Sequence, residues 1–213
     1  MTLEILLEVV PKIKKLPLPG TPSQFKLSPP FRTALIEKYK EAMKDAKKAA
    51  VVAIIFPKGI QKELHIALIL RKAYKGVHSA QIGFPGGKLE VGESLKQAAI
   101  REVEEEIGIT SSQYKIVRRM TEVYIPPSNF YVQSFLGISD QELKFIKQDE
   151  EVEEVVEVAL SELLDDVNMK DSLVHTSLKR DLNVPSFILE GHIVWGATAM
   201  MLSEIKDLLK ELL

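Results

Sequence analysis

The sequence contains no cysteine among its 213 residues. This absence excludes disulfide bonds, thiolate metal sites and a cysteine nucleophile, because each of them needs a thiol. The net charge is also small, at −2, so the chain lacks the excess of basic residues that non-specific nucleic-acid binding requires. We therefore expect no nucleic-acid partner, and any recognition of phosphate has to be local.

Long apolar segments are missing as well. A membrane-spanning helix needs a run of about 18 or more apolar residues, and no run in the sequence approaches that length. The first ten residues include two glutamates and no basic residue, whereas a secretory signal peptide begins with a basic region. We therefore expect a soluble cytoplasmic protein with no membrane partner.

The hydrophobic content of 46% is enough to bury one sizeable core, which predicts a single domain with elaborations. We predict an N-terminal helical extension over residues 1–48 and the main domain over residues 49–213. Predicted helices cover residues 2–10, 31–46, 161–164 and the end of the chain, and predicted strands cover residues 50–56, 64–71, 114–125, 130–138 and 152–158. This mixture of strands and amphipathic helices predicts an α/β fold with helices packed on a sheet.

A cluster of glutamates is the most informative feature of the sequence. Glu102, Glu105 and Glu106 stand at i, i+3 and i+4 of a predicted helix, which stacks three carboxylates on one helix face. Like charges at this spacing repel each other, so the cluster needs a cation, and hard divalent metals such as Mg²⁺ prefer oxygen ligands. Arg101 lies between Glu93 and this face, and we expect it to fix the orientation of the carboxylates.

The residues around the glutamates support a packed helix rather than a solvated acidic run. Gly86 and Gly87 permit a tight loop before the helix, and Gly108 suits a left-handed C-cap after it. Three aliphatic side chains occupy the other face of the helix: Ile100, Val103 and Ile107. We therefore predict that the helix packs on the sheet through one face and presents its carboxylates to a metal through the other.

The segment 87–109 resembles the Nudix box. That motif runs Gly, five residues, Glu, seven residues, Arg-Glu, an aliphatic residue, any residue, Glu-Glu, any residue, Gly and an aliphatic residue. The matching positions are Gly87, Glu93, Arg101, Glu102, Val103, Glu105, Glu106, Gly108 and Ile109. Every constrained position of the motif is filled, so the resemblance is specific.

A second element, upstream of the box, is similar to the one found in coenzyme A pyrophosphatases of the Nudix superfamily. Leu68, Arg71 and Phe84-Pro85-Gly86-Gly87 match that element in register. Gly76 stands where the family has a second arginine, and Lys75 beside it offers a point charge in place of a bidentate fork. Two later segments, residues 124–129 and 194–199, are also similar to that family.

The resemblance implies a Nudix α/β/α sandwich with a mixed β-sheet. It also implies hydrolysis of the diphosphate of coenzyme A or an acyl derivative to 3′,5′-ADP and the (acyl-)4′-phosphopantetheine, with Mg²⁺ or Mn²⁺ held by Glu102, Glu105 and Glu106. The expected catalytic residues are Arg101, Glu102, Glu105 and Glu151. The expected substrate-binding residues are Arg71, Lys75, His78, Phe84, Gly86 and Gly87.

Several alternatives stay open at this stage. Glu151 is the first candidate for a fourth carboxylate beyond the box and Glu154 the second, while the general base could be Glu102 or Glu151. The substrate could instead be another small nucleoside diphosphate derivative, such as ADP-ribose, NADH or a dinucleotide. The chain could also be a nucleotide-sensing module without turnover, although both glutamates of the Glu-Glu pair are present. For residues 1–48, packing on the domain and contact within a homodimer are both open.

Overall fold

The computed structural model describes residues 2–73, 80–175 and 181–212. Its helices are α1 (Leu3–Ile13), α2 (Gly20–Phe25), α3 (Arg32–Lys38), α4 (Leu95–Ile107), α5 (Leu160–Leu164) and α6 (Gly196–Lys210). Its strands are β1 (Lys47–Lys58), β2 (Glu63–Arg71), β3 (Ile82–Gly83), β4 (Gly86–Lys88), β5 (Lys115–Arg119), β6 (Val123–Ile125), β7 (Phe130–Ile138), β8 (Val152–Ala159), β9 (Met169–His175), β10 (Asp181–Leu189) and β11 (His192–Trp195). Short 3-10 turns cover Ala42–Asp45, Pro126–Ser128 and Asp166–Asn168.

The main sheet is mixed. Its central path runs β3-β2-β1-β7-β5, with β4 paired to β1, β6 to β7 and β8 to β2. Strand β1 pairs in parallel with β7 and antiparallel with β2 and β4. A separate antiparallel sheet of three strands has the order β11-β10-β9. The α/β fold with a mixed sheet is therefore confirmed.

Strand β1 divides the core into two layers, because successive side chains of a strand point to opposite faces. Val52 and Ile54 face the side covered by α4, where they lie with Val103 and Ile107. The neighbouring residues of β1 face a larger cluster that includes buried side chains of α1 and α6. The sheet therefore lies between helices on both faces, and α4 is held by the core rather than by its own helix propensity.

The N-terminal segment is tied to α6 by buried polar contacts. Ser203 Oγ donates a hydrogen bond to the main-chain oxygen of Ser23 at 2.8 Å, and Gln24 Nε2 donates to Glu204 Oε2 at 2.9 Å. Glu204 is fully buried, and the hydroxyl of Thr121 donates to its Oε1 at 2.6 Å. Residues of α1 and α2 therefore pack on the rest of the chain, while the domain boundary at residue 48 and a homodimer stay predictions.

The structure corrects several element boundaries. The predicted helix over 31–46 ends at Lys38 and is followed by a 3-10 turn, and the predicted strand over 114–125 is two strands that both pair with β7. Pro11 lies inside α1 without ending it. The three-stranded sheet was not predicted, and the first described residue after a gap, Asp181, belongs to it. In the described ranges, no helix is both long and apolar enough to cross a membrane.

Candidate active site

The loop before α4 depends on a glycine at position 86. Gly86 has a φ of +143°, and a Cβ there would lie 2.3 Å from the main-chain oxygen of Ala50. The reason is that Gly86 pairs directly with Val51 of β1, so its backbone has no room for a side chain. This close approach brings the loop against the sheet and places its amides beside α4.

Local signals set both ends of α4, and of the two only the C-cap at Gly108 is among the predictions from the sequence. Ser94 and Gln97 form a reciprocal capping box at the N-terminus, which satisfies two amides that otherwise lack partners. Gly108 closes the C-terminus in the left-handed conformation, with a φ of +70°, and glycine is favoured there. Because the helix begins and ends at these residues, the register of its glutamates is fixed.

Glu106 is the buried carboxylate of the site, with a relative exposure of only 2%. It accepts hydrogen bonds from the amide of Gly86 at 2.7 Å and from Arg71 Nη1 at 3.0 Å. Burial raises the pKa of Glu106 to about 7, although Arg71 and the Gly86 amide favour the charged form and act against this rise. Glu102 and Glu151 raise the same pKa further by repulsion. Arg71 also donates to the oxygen of Gly86 at 2.9 Å, so it connects β2, the loop and α4.

Arg101 organises the other carboxylates of the helix. Its Nε and Nη2 donate to the two oxygens of Glu93 at 2.8 and 3.2 Å, which is a bidentate pair. Its Nη1 donates to Glu102 Oε1 at 3.0 Å and to Glu105 Oε2 at 2.8 Å. These bonds, first of all the one to Glu93, raise the pKa of Arg101. The geometry agrees with the expected orienting role.

Glu102 is packed against the loop. An ideal Cβ at Gly87 would lie 2.4 Å from both carboxylate oxygens of Glu102, so the carboxylate occupies the space that a side chain at this position would fill. Burial raises the pKa of Glu102, Arg101 lowers it, and the charges of Glu105 and Glu151 raise it. The absence of a side chain at Gly87 therefore leaves the space that the carboxylate of Glu102 occupies.

The structure separates the two candidates for a fourth carboxylate. Glu151 lies within electrostatic reach of Glu102 and Glu106, since its charge raises the pKa of both. Its main-chain oxygen accepts from the amide of Lys72 at 2.9 Å, and in the described part of the chain its carboxylate accepts no hydrogen bond. Glu154 instead points toward His192, with 3.7 Å between Oε2 and Nε2. The arrangement favours Glu151 over Glu154.

The donor chemistry of the site fits a hard divalent cation. The negative charge of Glu151 raises the pKa of both Glu102 and Glu106, and carboxylate oxygens of this kind suit Mg²⁺ or Mn²⁺. As they are positioned, however, no group of three acidic or histidine side chains in the described ranges could hold a metal ion. Instead, arginines pair with Glu102, Glu105 and Glu106. Metal binding at this site stays a prediction.

A cavity of about 280 Å³ opens beside the loop that contains Gly86 and Gly87, called the box loop below. Four of the predicted substrate-binding residues line this cavity, namely Arg71, Phe84, Gly86 and Gly87, and their role stays a prediction. Its other walls come from distant parts of the sequence: the segment around α3, the Pro126–Ser128 turn and the start of α6. Lys75 and His78, the remaining predicted substrate-binding residues, lie outside the described residues.

The N-terminal wall of the cavity was not predicted. Pro29, Phe31, Arg32 and Leu35 line the cavity together with the box loop, whereas the sequence predicts only packing or dimer contact for residues 1–48. No motif marks these residues, because the cavity depends on a tertiary contact between segments far apart in the chain. The cations lining the cavity are Arg32, Arg71 and Lys88, and the described lining includes no aspartate or glutamate.

The chain belongs to the Nudix family, because residues 46–177 match the NUDIX domain. One similar protein is an uncharacterized Nudix hydrolase NudL of Yersinia pestis (strain Pestoides F), which is 26% identical over 156 residues. The aligned part covers 72% of this chain and 76% of the relative. A MutT/nudix family protein from Enterococcus faecalis has a similar fold, with a TM-score of 0.52, 15% identity and coverage of 78% of this chain and 62% of that one. A MutT protein from Methanosarcina mazei Go1 is also similar, with 19% identity and a TM-score of 0.49. The match covers 78% of this chain and 95% of the Methanosarcina chain. The chain is therefore a Nudix hydrolase in fold and family.

Proposed function

We propose that this protein is a metal-dependent diphosphatase that hydrolyses coenzyme A or acyl-coenzyme A to 3′,5′-ADP and the (acyl-)4′-phosphopantetheine. One observation carries the substrate class: the apolar cavity beside the box loop is lined by Arg32, Arg71 and Lys88 and by no acidic residue in the described ranges. Ligand cavities commonly measure about 300–1,000 Å³, so a cavity of about 280 Å³ suits one arm of a substrate rather than the whole molecule.

The chemistry of this cavity suits the adenosine 3′-phosphate arm of coenzyme A. Aromatic and proline side chains such as Phe31, Pro126 and Phe130 line it, and flat apolar walls suit a nucleobase. The cations suit phosphates, since charge-assisted hydrogen bonds are the strong ones. The element around Arg71 and Phe84, which is similar to that of coenzyme A pyrophosphatases, supports the same substrate.

The proposed chemistry is the attack of water on phosphorus with cleavage of the phosphorus–oxygen bond of the diphosphate. Glu102, Glu105 and Glu106 would hold Mg²⁺ or Mn²⁺, which would supply charge neutralisation and a more acidic water. Arg101 holds Glu102 and Glu105 in orientation, while Arg71 and the Gly86 amide hold Glu106. Glu102 or Glu151 then accepts the proton of the attacking water.

Product analysis tests this function. Purified protein is incubated with coenzyme A and either Mg²⁺ or Mn²⁺, and the products are separated by chromatography and identified by mass. We expect 3′,5′-ADP and 4′-phosphopantetheine in equal amounts from wild type, about 10²-fold less of both from Glu105→Gln in the same time, and neither product with EDTA. Intact coenzyme A after incubation with wild type and either metal would refute the proposed substrate.

A further inference from the structure

Arg32 brings a positive charge to the cavity from outside the part of the chain that matches the family. It lies at the start of α3, and its side chain lines the same cavity as Arg71 and the box loop. The matched NUDIX domain begins only at residue 46. The N-terminal segment therefore contributes to the cavity as well as packing on the core.

The guanidinium of Arg32 is only partly satisfied. Its Nη2 donates to the main-chain oxygen of Tyr124 at 2.7 Å, but its Nε is buried and has no hydrogen-bond partner among the residues that the structure describes. Within the described ranges, no aspartate or glutamate forms an ion pair with Arg32. Burial lowers the pKa of Arg32, yet a guanidinium remains charged at neutral pH. A partly buried charge with an unused donor is costly unless something pairs with it.

Two other arginines show what is particular to Arg32. Arg71 also lines the cavity, but it is neutralised by Glu106 at 3.0 Å. Arg118 resembles Arg32 in its bonding, because it donates to the main-chain oxygens of Lys14 and Leu16, and its Nε is buried with no partner in the described part of the chain. Arg118, however, does not line the cavity. The combination of an unpaired guanidinium and a cavity therefore distinguishes Arg32 from both.

We propose that Arg32 is a specificity-determining residue whose guanidinium binds a phosphate monoester of the substrate, distinct from the diphosphate that is cleaved. This inference rests on the proposed function, for which it identifies the residue that recognises the 3′-phosphate of coenzyme A. Arg32 is suited to the role because its planar fork can bind phosphate with two parallel hydrogen bonds. Phe31 and Leu35 beside it line the same cavity, and apolar surroundings strengthen the attraction between opposite charges.

A binding experiment with two nucleotides tests the role of Arg32 without turnover. Calorimetry compares 3′,5′-ADP with 5′-AMP, which lacks only the 3′-phosphate, on wild type and on Arg32→Gln. We expect wild type to prefer 3′,5′-ADP by roughly 10- to 150-fold, as for a hydrogen-bonded charge pair, and Arg32→Gln to bind both nucleotides equally. Arg32→Lys should keep part of the preference, since it retains the charge but not the fork.

Arg118→Gln is the matched control, because it removes the same kind of guanidinium at a distance from the cavity. It should keep the full preference for 3′,5′-ADP, even if its melting temperature falls as much as that of Arg32→Gln. Equal affinity of wild type for the two nucleotides, or an undiminished preference in Arg32→Gln, would overturn the assignment. If wild type prefers 3′,5′-ADP but leaves coenzyme A intact, the role of Arg32 stands and the proposed function fails. If it hydrolyses coenzyme A without that preference, only the role of Arg32 fails.

Discussion

Replacement by alanine should have different effects at the two neighbouring glycines of the box loop. It should reduce mainly turnover at Gly87 and mainly stability at Gly86. At Gly87, alanine introduces a methyl group 2.4 Å from the carboxylate of Glu102. Ordinary contacts begin at 3.4 Å, so the carboxylate has to move by about 1 Å, a displacement that can reduce turnover about 10²-fold. The carboxylate is the free end of a side chain and the φ of Gly87 is not positive, so the fold should lose less than about 1 kcal/mol.

At Gly86 the same substitution meets backbone rather than a side chain. The new Cβ would lie 2.3 Å from the oxygen of Ala50, at a φ of +143°. Backbone strain and overpacking each cost about 1–3 kcal/mol, so Gly86→Ala should lose about 2–6 kcal/mol. For a chain of this size, about 1 kcal/mol corresponds to roughly 2–4 °C in melting temperature. The expected decrease is thus at least about 4 °C.

Thermal melts and initial rates on the two variants test this reasoning together. Gly87→Ala should melt close to wild type and turn over about 10²-fold more slowly, while Gly86→Ala should melt clearly lower. Each variant serves as the control for the other. The reasoning is refuted if Gly87→Ala retains the wild-type rate, or if it loses as much stability as Gly86→Ala.

Three further predictions follow from the charges. Mg²⁺ or Mn²⁺ at roughly one hundred times Kd should stabilise the fold by about 2.7 kcal/mol, and an unchanged melting temperature with no heat of binding would contradict the metal site. Glu105→Gln and Glu106→Gln should each reduce kcat by about 10²-fold or more with little loss of stability, because glutamine nearly preserves the shape of the side chain, as rates and melts will report. Lys210 and Lys206 lower the pKa of Asp166 to about 2 from an ordinary 3.8. The stabilising effect of Asp166 is therefore complete well above pH 4 and decreases as the pH falls toward 2, so the stability deficit of Asp166→Asn in urea should be smaller at pH 3 than at pH 7.

The parts of the fold that the sequence predicts are those fixed by local signals. The box helix could be placed because the glycines before and after it, Gly87 and Gly108, and the spacing of its glutamates lie within one short segment. The strands over residues 50–56 and 64–71 could also be predicted, because continuous apolar runs are typical of strands buried on both faces. The α/β class followed from these elements, whereas the boundaries of α3 and β5 depended on tertiary packing.

The candidate site was predictable only in part, because local motifs mark some of its residues while tertiary packing brings in the others. The carboxylates of α4 stand in a motif, so their neighbourhood could be inferred, and the structure adds that Arg71 and the Gly86 amide hold Glu106. The pairing of Arg71 with Glu106 brings together residues that are 35 positions apart, and no local sequence pattern predicts this pairing. Arg32 reaches the cavity through packing of the N-terminal segment on the Pro126–Ser128 turn, which sequence periodicity does not report.

The most direct test of the account is the ratio of kcat/KM for coenzyme A to that for ADP-ribose, measured on one preparation with saturating Mg²⁺. Both substrates carry an adenosine diphosphate, but only coenzyme A carries the additional phosphate that the cations of the cavity suit. The account predicts a ratio of at least about 10, the lower end of the effect of one charge-assisted hydrogen bond. A ratio of one or less would contradict the proposed substrate and leave the chain a Nudix hydrolase of another nucleoside diphosphate derivative.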